Sequence, residues 1–169
     1  MALLCICVDV SAMSYWLIKS EPDVYGIESM KREGIGIWDG VRNYQARNYL
    51  KSMQMGDYAF FYHSNAKPPG LAGLVKVVET LVVDPSQFDP LGDYFDPKST
   101  VENPRWHTVK FQYVETLKEL ISLDQLREQF EPEELLVVKR GTRLSVLPVE
   151  QFTAKRLLDL GSFQTPFQE

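Results

Sequence analysis

The apolar runs of this chain are short, unevenly spaced and repeatedly broken by Gly, Pro, Asp and Asn. They never settle into a regular strand–helix–strand alternation, which argues against a parallel α/β sheet built from helical crossovers. Tyr15 to Ile18 is aromatic and β-branched and predicts a strand. Lys19-Ser20-Glu21-Pro22 ends it, because Pro22 pushes Glu21 out of helix and cannot extend a central ladder. Ile27 to Glu33 predicts a short helix closed by Gly34, and Gly36 to Trp38 a brief extended piece turned by Asp39-Gly40. Asn43 is placed to cap a helix through Met53, in which Tyr44, Ala46, Tyr49, Leu50 and Met53 form a loose stripe.

Tyr58 to His63 and Leu71 to Thr80 predict two strands separated by Lys67-Pro68-Pro69-Gly70, the second buried on both faces. Asp84 to Pro104 reads as a long ordered loop, and Trp106 to Leu117 as another strand. Ser122 caps a predicted helix through Phe130. Leu135 to Val138 and Thr142 to Leu147 read as extended, and Pro148 as the first residue of a last helix ending near Gly161. Five to seven short strands and four short helices predict an α+β fold: a curved or closed, antiparallel-rich sheet with helices outside.

With 169 residues, 44% of them hydrophobic and 24% charged, the chain supports one domain with a proper core and is not disordered. Residues 1–13 read as an extension, 14–161 as the domain and 162–169 as a tail. The run Met1 to Val8 resembles the core of a secretion signal, but it lacks a basic start and Asp9 ends it too soon to span a bilayer. Cys5 and Cys7 are too close for an unstrained bridge and read as reduced thiols of a protein that is not secreted. The net charge of −5 argues against nucleic acid at first sight. Five acids and one base between Thr80 and Glu102 account for most of it, which leaves room for a basic face elsewhere.

Catalytic chemistry is poorly supplied. His63 and His107 are the two histidines, with no His-x-x-x-His or Cys-x-x-Cys spacing, so no metal is expected. Gly34-Ile35-Gly36 is not a phosphate loop. His63 and Ser64 are strand neighbours and point to opposite faces, a poor nucleophile–base pair. The densest polar-aromatic cluster is instead Trp38 to Tyr49: one indole, two phenols, two guanidiniums and three carboxamides around a turn and a helix start. Taken singly these are a core Trp, a capping Asn and solvated Arg residues. Together they combine stacking planes, anion-binding donors and the paired donor–acceptor groups that read base edges. The strand Tyr58 to His63 adds more aromatics that a core explains, and Ser64 and Asn65 at its end are better site candidates.

Tyr15-Trp16-Leu17-Ile18-Lys19-Ser20-Glu21-Pro22, Trp38 through Asn48, Phe60-Phe61-Tyr62-His63-Ser64-Asn65 and Gly70-Leu71-Ala72-Gly73-Leu74 resemble the EVE domain family. The likeness continues through Tyr94 to Ser99, Asn103 to Trp106 and Arg143 to Val146. It implies a PUA-like fold, a small twisted β-barrel flanked by short helices and related to the YTH and ASCH modules. It also implies a non-catalytic module without cofactor that binds a modified base, 5-methylcytosine or a derivative, in DNA ahead of RNA. The expected mechanism is capture of an extruded base. Extrusion costs about a few kcal/mol, stacking on one aromatic plane returns about 1–3 kcal/mol, and a methyl niche adds about 1 kcal/mol, so the preference should be modest.

On that reading Trp38 supplies the stacking plane, with Ser20 and Asn43 for base-edge hydrogen bonds and Tyr44, His63 and Ser64 at the rim. Glu21 pairs with Lys19 or Arg42, or accepts from a cytosine amino group. Lys19, Arg42 and Arg143 neutralise phosphates, and Arg105 and Trp106 border the cleft. The alternatives are an ASCH-like hydrolase of modified nucleosides using Lys19 and Glu21, or a peptide-binding module. A monomer with no membrane or metal partner is expected, cytoplasmic if bacterial and nuclear if eukaryotic.

Overall fold

The computed structural model describes residues 13–164, so the expectations for Met1 to Val8, including Cys5 and Cys7, lie outside the described residues. Among the described residues six strands form a single mixed sheet: β1 (Tyr15–Ser20), β2 (Ile35–Ile37), β3 (Tyr58–His63), β4 (Gly70–Val83), β5 (His107–Ser122) and β6 (Val146–Val149). Their spatial order is β2-β5-β4-β3-β1-β6. β1 and β3 run parallel; every other ladder is antiparallel. Five short helices accompany them: α1 (Pro22–Tyr25), α2 (Ile27–Glu33), α3 (Tyr44–Ser52), α4 (Leu123–Gln129) and α5 (Gln151–Leu160). This is the α+β arrangement, mostly antiparallel with short helices, that the residue pattern predicted. Register shifts in the β3–β4 and β4–β5 ladders mark where the two longest strands bend, since an extra residue on one side of a ladder increases local twist.

Strand periodicity divides the core into two. Tyr15, Leu17, Tyr58, Phe60, Tyr62, Leu71 and Leu74 face one side with Leu126 of α4 and Ala154 and Leu157 of α5. Trp16, Ile18, Ala59, Phe61, Ala72 and Val75 face the other with Ile27 and Met30 of α2 and Ala46 and Leu50 of α3. A sheet buried on both faces must be apolar at consecutive positions, as β1 and β3 are.

The local signals act as their chemistry demands. Asn43 Oδ1 accepts from Ala46 N at 3.0 Å and starts α3. Gly34, at φ 76, donates its N–H to Met30 O at 2.8 Å and ends α2. Ser122 and Gln125 form a reciprocal capping box on α4. Two expectations are corrected. Pro148 lies inside β6, paired with Trp16, and α5 begins after it; β6 is an edge strand, where a missing N–H is tolerated. Leu136–Val138 is a 3-10 turn and not an extended run.

Strand direction determines what meets at one end of the sheet. Because β1 and β3 are parallel, Lys19-Ser20-Glu21 and Ser64-Asn65 leave the sheet side by side, and Ser64 N donates to Ser20 O at 2.9 Å. Because β6 is antiparallel to β1, the residues before it arrive at the same end, and Lys19 N donates to Ser145 O at 2.8 Å.

Candidate functional site

At that end a cavity of about 920 Å³ opens between the β1 and β3 termini, the β2–α3 connection and the segment before β6. Its polar wall includes Lys19, Ser20, Glu21, Asn43, Ser64 and Arg143, and Tyr25, Trp38 and Tyr94 supply aromatic surface. Val24, Ile37 and Val41 add apolar lining. Lys19, Ser20, Glu21, Trp38, Arg42, Asn43, Ser64 and Arg143 are thus brought to one concave surface from four separate stretches of sequence.

The details differ from expectation at several positions. Trp38 is only 6% exposed. Its indole meets Phe61, Phe111 and Tyr25 edge-on at centroid distances of 5.5, 5.7 and 6.4 Å. It presents a limited strip of wall and not an open plane. The more exposed aromatic is Tyr94, at 41%. Tyr25 is half-buried, its hydroxyl donating to Glu33 Oε2 at 2.7 Å, and burial together with that bond raises its pKa.

Arg42 is not a free phosphate ligand. Its Nη1 donates to Asp84 Oδ2 at 2.8 Å and to Val41 O at 2.9 Å, its Nε to Tyr94 O at 2.8 Å and its Nη2 to Ser86 Oγ at 3.0 Å. With four internal acceptors it ties the β2–α3 connection to the 84–96 loop. Asp84, 2% exposed, also accepts from Gly40 N at 3.0 Å and Ser86 N at 2.8 Å. The acidic loop is therefore partly an internal counter-charge to the predicted basic cluster.

The same holds for Arg105, which pairs with Asp96 at 3.1 Å. Hydrogen bonds from Trp106 Nε1 and Lys98 N, then Arg105, hold the Asp96 carboxyl below its ordinary range. Trp106 is buried, with Tyr44 stacked on it at 5.1 Å and the guanidiniums of Arg42 and Arg47 against its ring at 5.1 and 5.6 Å. Arg105 also donates to the Tyr44 hydroxyl. Tyr44, Arg105 and Trp106 form this separate stack and do not line the cavity.

His63 is likewise outside it. Its Nε2 accepts from Ile27 N at 3.1 Å and so anchors the start of α2. Burial lowers its pKa, with Glu28 pulling the other way. Glu21 pairs with neither Lys19 nor Arg42: its Oε2 accepts from Asn65 Nδ2 at 3.3 Å. Lys19 Nζ donates to Thr142 O at 3.0 Å, and burial lowers its pKa.

Asp39, Tyr25, Thr142 and Ser145 also line the cavity. Nothing local in the sequence distinguishes them. Asp39 keeps exposed surface, yet desolvation raises its carboxyl pKa, and the negative charge of Asp84 adds to the rise. No group of three His, Cys, Asp or Glu among the described residues could hold a metal ion. No described helix is long and apolar enough to cross a membrane.

Sheet and cavity together define a PUA-like α+β domain with a polar, aromatic-walled recess at one end of its central strands. The chain belongs to the EVE domain family, whose model matches residues 14–160. Thymocyte nuclear protein 1 of Danio rerio is 46% identical over 126 residues, covering 68% of this chain and 54% of that protein. The Homo sapiens protein of the same name is 40% identical over 156 residues, covering 82% and 69%. The chain thus spans about half to two thirds of the length of these relatives.

Among solved structures, a protein of Pseudomonas syringae matches with a TM-score of 0.83 and 44% identity, covering 87% of this chain and 99% of that one. The human THYN1 protein, in complex with 5-methylcytosine containing DNA, matches with a TM-score of 0.82 and 38% identity, covering 90% and 99%. A yeast YTH domain, at 15% identity and a TM-score of 0.54, shares the fold.

Proposed function

We propose that this chain is a non-catalytic module that binds nucleic acid, DNA ahead of RNA, by taking one extruded, 5-methylated cytosine into the cavity beside Ser20 and Asn43. The observation that carries the reading is the composition of that recess: Tyr25, Trp38 and Tyr94 offer ring surface while Ser20, Asn43, Ser64 and Glu21 offer edge-reading groups. The match to a human relative in complex with 5-methylcytosine containing DNA supports it.

The roles follow from chemistry. Asn43 uses its Oδ1 on the helix cap, so its amide nitrogen is the group available to a base acceptor. Glu21 and Asp39 are acceptors suited to a cytosine amino group. Val24, Ile37 and Val41 provide apolar surface for a methyl group. Stacking of about 1–3 kcal/mol against an extrusion cost of about a few kcal/mol leaves little surplus. A buried methyl worth about 0.8 kcal/mol then gives a preference of only a few-fold.

The test is a titration of matched oligonucleotides carrying cytosine, 5-methylcytosine or N6-methyladenine at one position, single- and double-stranded. The expected result is a small, reproducible preference for 5-methylcytosine that Ser20→Ala and Asn43→Ala variants reduce. Equal affinity for all three would overturn base reading. Lys19 and Glu21 both line the cavity, which favours an ASCH-like hydrolase as second reading. Release of product from acylated or alkylated nucleosides, abolished by Lys19→Met, would establish that in its place.

A further inference from the structure

The cations of this chain are unevenly neutralised. Arg42, Arg105 and Arg156 are held by Asp84, Asp96 and Glu134 at 2.8, 3.1 and 2.9 Å. Lys139, Arg140 and Arg143, three cations within five residues, have no ion pair among the described residues. Lys139 and Arg140 line a second cleft of about 200 Å³ with Lys19 and Arg127, and no carboxylate contributes to its wall. Arg127 reaches the exposed Asp124 only at 3.4 Å. Four like charges around so small a space repel one another unless an anion enters, in a protein whose net charge is −5.

The cleft is a fixed feature of the fold. Lys139 to Arg143 form a turn in which Gly141 takes φ +80, a conformation that disfavours any side chain although the space beside it is open. Thr142 Oγ1 donates to Leu136 O at 3.0 Å, and Lys19 Nζ donates to Thr142 O at 3.0 Å, so the turn is fastened to β1. Lys19, Ser64, Asn65 and Thr142 line both this cleft and the larger cavity. The two spaces therefore share a wall.

We propose that the 139–143 cleft is a phosphodiester site, holding the backbone phosphate next to the nucleotide whose base enters the larger cavity. The inference rests on the base-capture reading for its position, and on the unpaired cations for its chemistry. A strand that delivers a base into a recess must run its anionic backbone along the rim. Lys139 and Arg140 supply unneutralised donors there, in the place of the internally paired Arg42. Phosphate contacts release condensed counterions, so they appear as salt dependence and carry no base preference.

The test compares the unsubstituted protein with a Lys139→Gln/Arg140→Gln variant and a control, Lys31→Gln/Arg32→Gln, that changes net charge equally on the exposed face of α2. Each is titrated with methylated and plain single-stranded oligonucleotides between low and moderate salt. Loss of two phosphate contacts should lower the slope of log affinity against log salt by about 1.4, weaken both oligonucleotides by one common factor, and leave their ratio unchanged. The control should keep the original slope. An unchanged slope in the folded 139/140 variant overturns the phosphate site, and so does an equal drop in the control. A lowered slope with no methyl preference in any protein upholds the phosphate site and rejects base capture. Binding that inorganic phosphate at millimolar levels abolishes, with oligonucleotide length making no difference, reassigns the cleft to free phosphate and overturns the proposal. Failure of the unsubstituted protein to bind either strand overturns both readings.

Discussion

Asp84→Ala should destabilise the domain far more than its loop position suggests. The carboxylate is 2% exposed and accepts from Arg42 Nη1, Gly40 N, Ser86 N and Ser86 Oγ at 2.8, 3.0, 2.8 and 2.5 Å. Removing one member of a buried ion pair typically costs about 3–5 kcal/mol, because the remaining charge loses its compensation. Arg42 keeps some contact with solvent, at 21% side-chain exposure, and retains its carbonyl acceptors. The lower end, about 3 kcal/mol, is therefore the expected loss. For a domain of this size that corresponds to a drop in Tm of roughly 6–12 °C. Urea and thermal denaturation of Asp84→Ala beside the unsubstituted protein measure it. Asp84→Asn keeps an acceptor for Ser86 and should fall between the two. The same substitution removes a negative charge from beside Asp39, so the Asp39 titration followed by NMR should move downward. It should stay above the ordinary range, because burial is the larger cause of its rise. A Tm change under about 2 °C in Asp84→Ala would show that the carbonyls alone hold Arg42, and would refute the counter-charge argument.

Trp38→Ala should cost about 3–5 kcal/mol in urea denaturation, as expected for a buried aromatic, whereas Trp38→Phe should stay folded and weaken binding of a methylcytosine oligonucleotide. Unchanged affinity in the folded Phe variant removes Trp38 from the base-contacting wall. His63 has a folded pKa below its ordinary 6.5, so its contribution to stability is complete above pH 6.5 and is lost as pH falls through the lower folded value. Protonating Nε2 also breaks its bond from Ile27 N. Urea denaturation across that window should lose part of its pH dependence in His63→Gln, with His107, lowered in the same direction, contributing to what remains. Ser122→Ala should cost about 1 kcal/mol through loss of the α4 capping box; no measurable change would show that packing alone starts that helix.

The parts of this molecule that are legible in the sequence are those governed by near neighbours. Asn43, Gly34 and Ser122 start or stop helices through groups three or four residues away, and all three act as their types require. The alternation in Tyr58 to His63 correctly divides the two cores. Long-range pairing is what stays hidden. Arg42 looks like a phosphate ligand until Asp84 is placed beside it, and Arg105 looks like a residue bordering the cleft until Asp96 is. His63 looks like a rim residue until α2 folds back to donate to it. Pro148 suits a helix start as well as an edge strand, and only the position of β6 beside β1 decides between them. Arg143 stands out as a phosphate candidate but Lys139 and Arg140 do not, because their closeness to the β1 end depends on β1 and β6 pairing across the chain.

That last pairing has a consequence for biosynthesis. β1 is the first described strand to leave the ribosome and β6 the last, and the recess needs residues of β1 and of the segment just before β6. A nascent chain that has already folded β3, β4 and β5 still lacks Thr142, Arg143 and Ser145, and with them one side of the chamber. The recess is therefore incomplete during translation until nearly the whole domain has emerged, and on the base-capture reading binding must wait for that point.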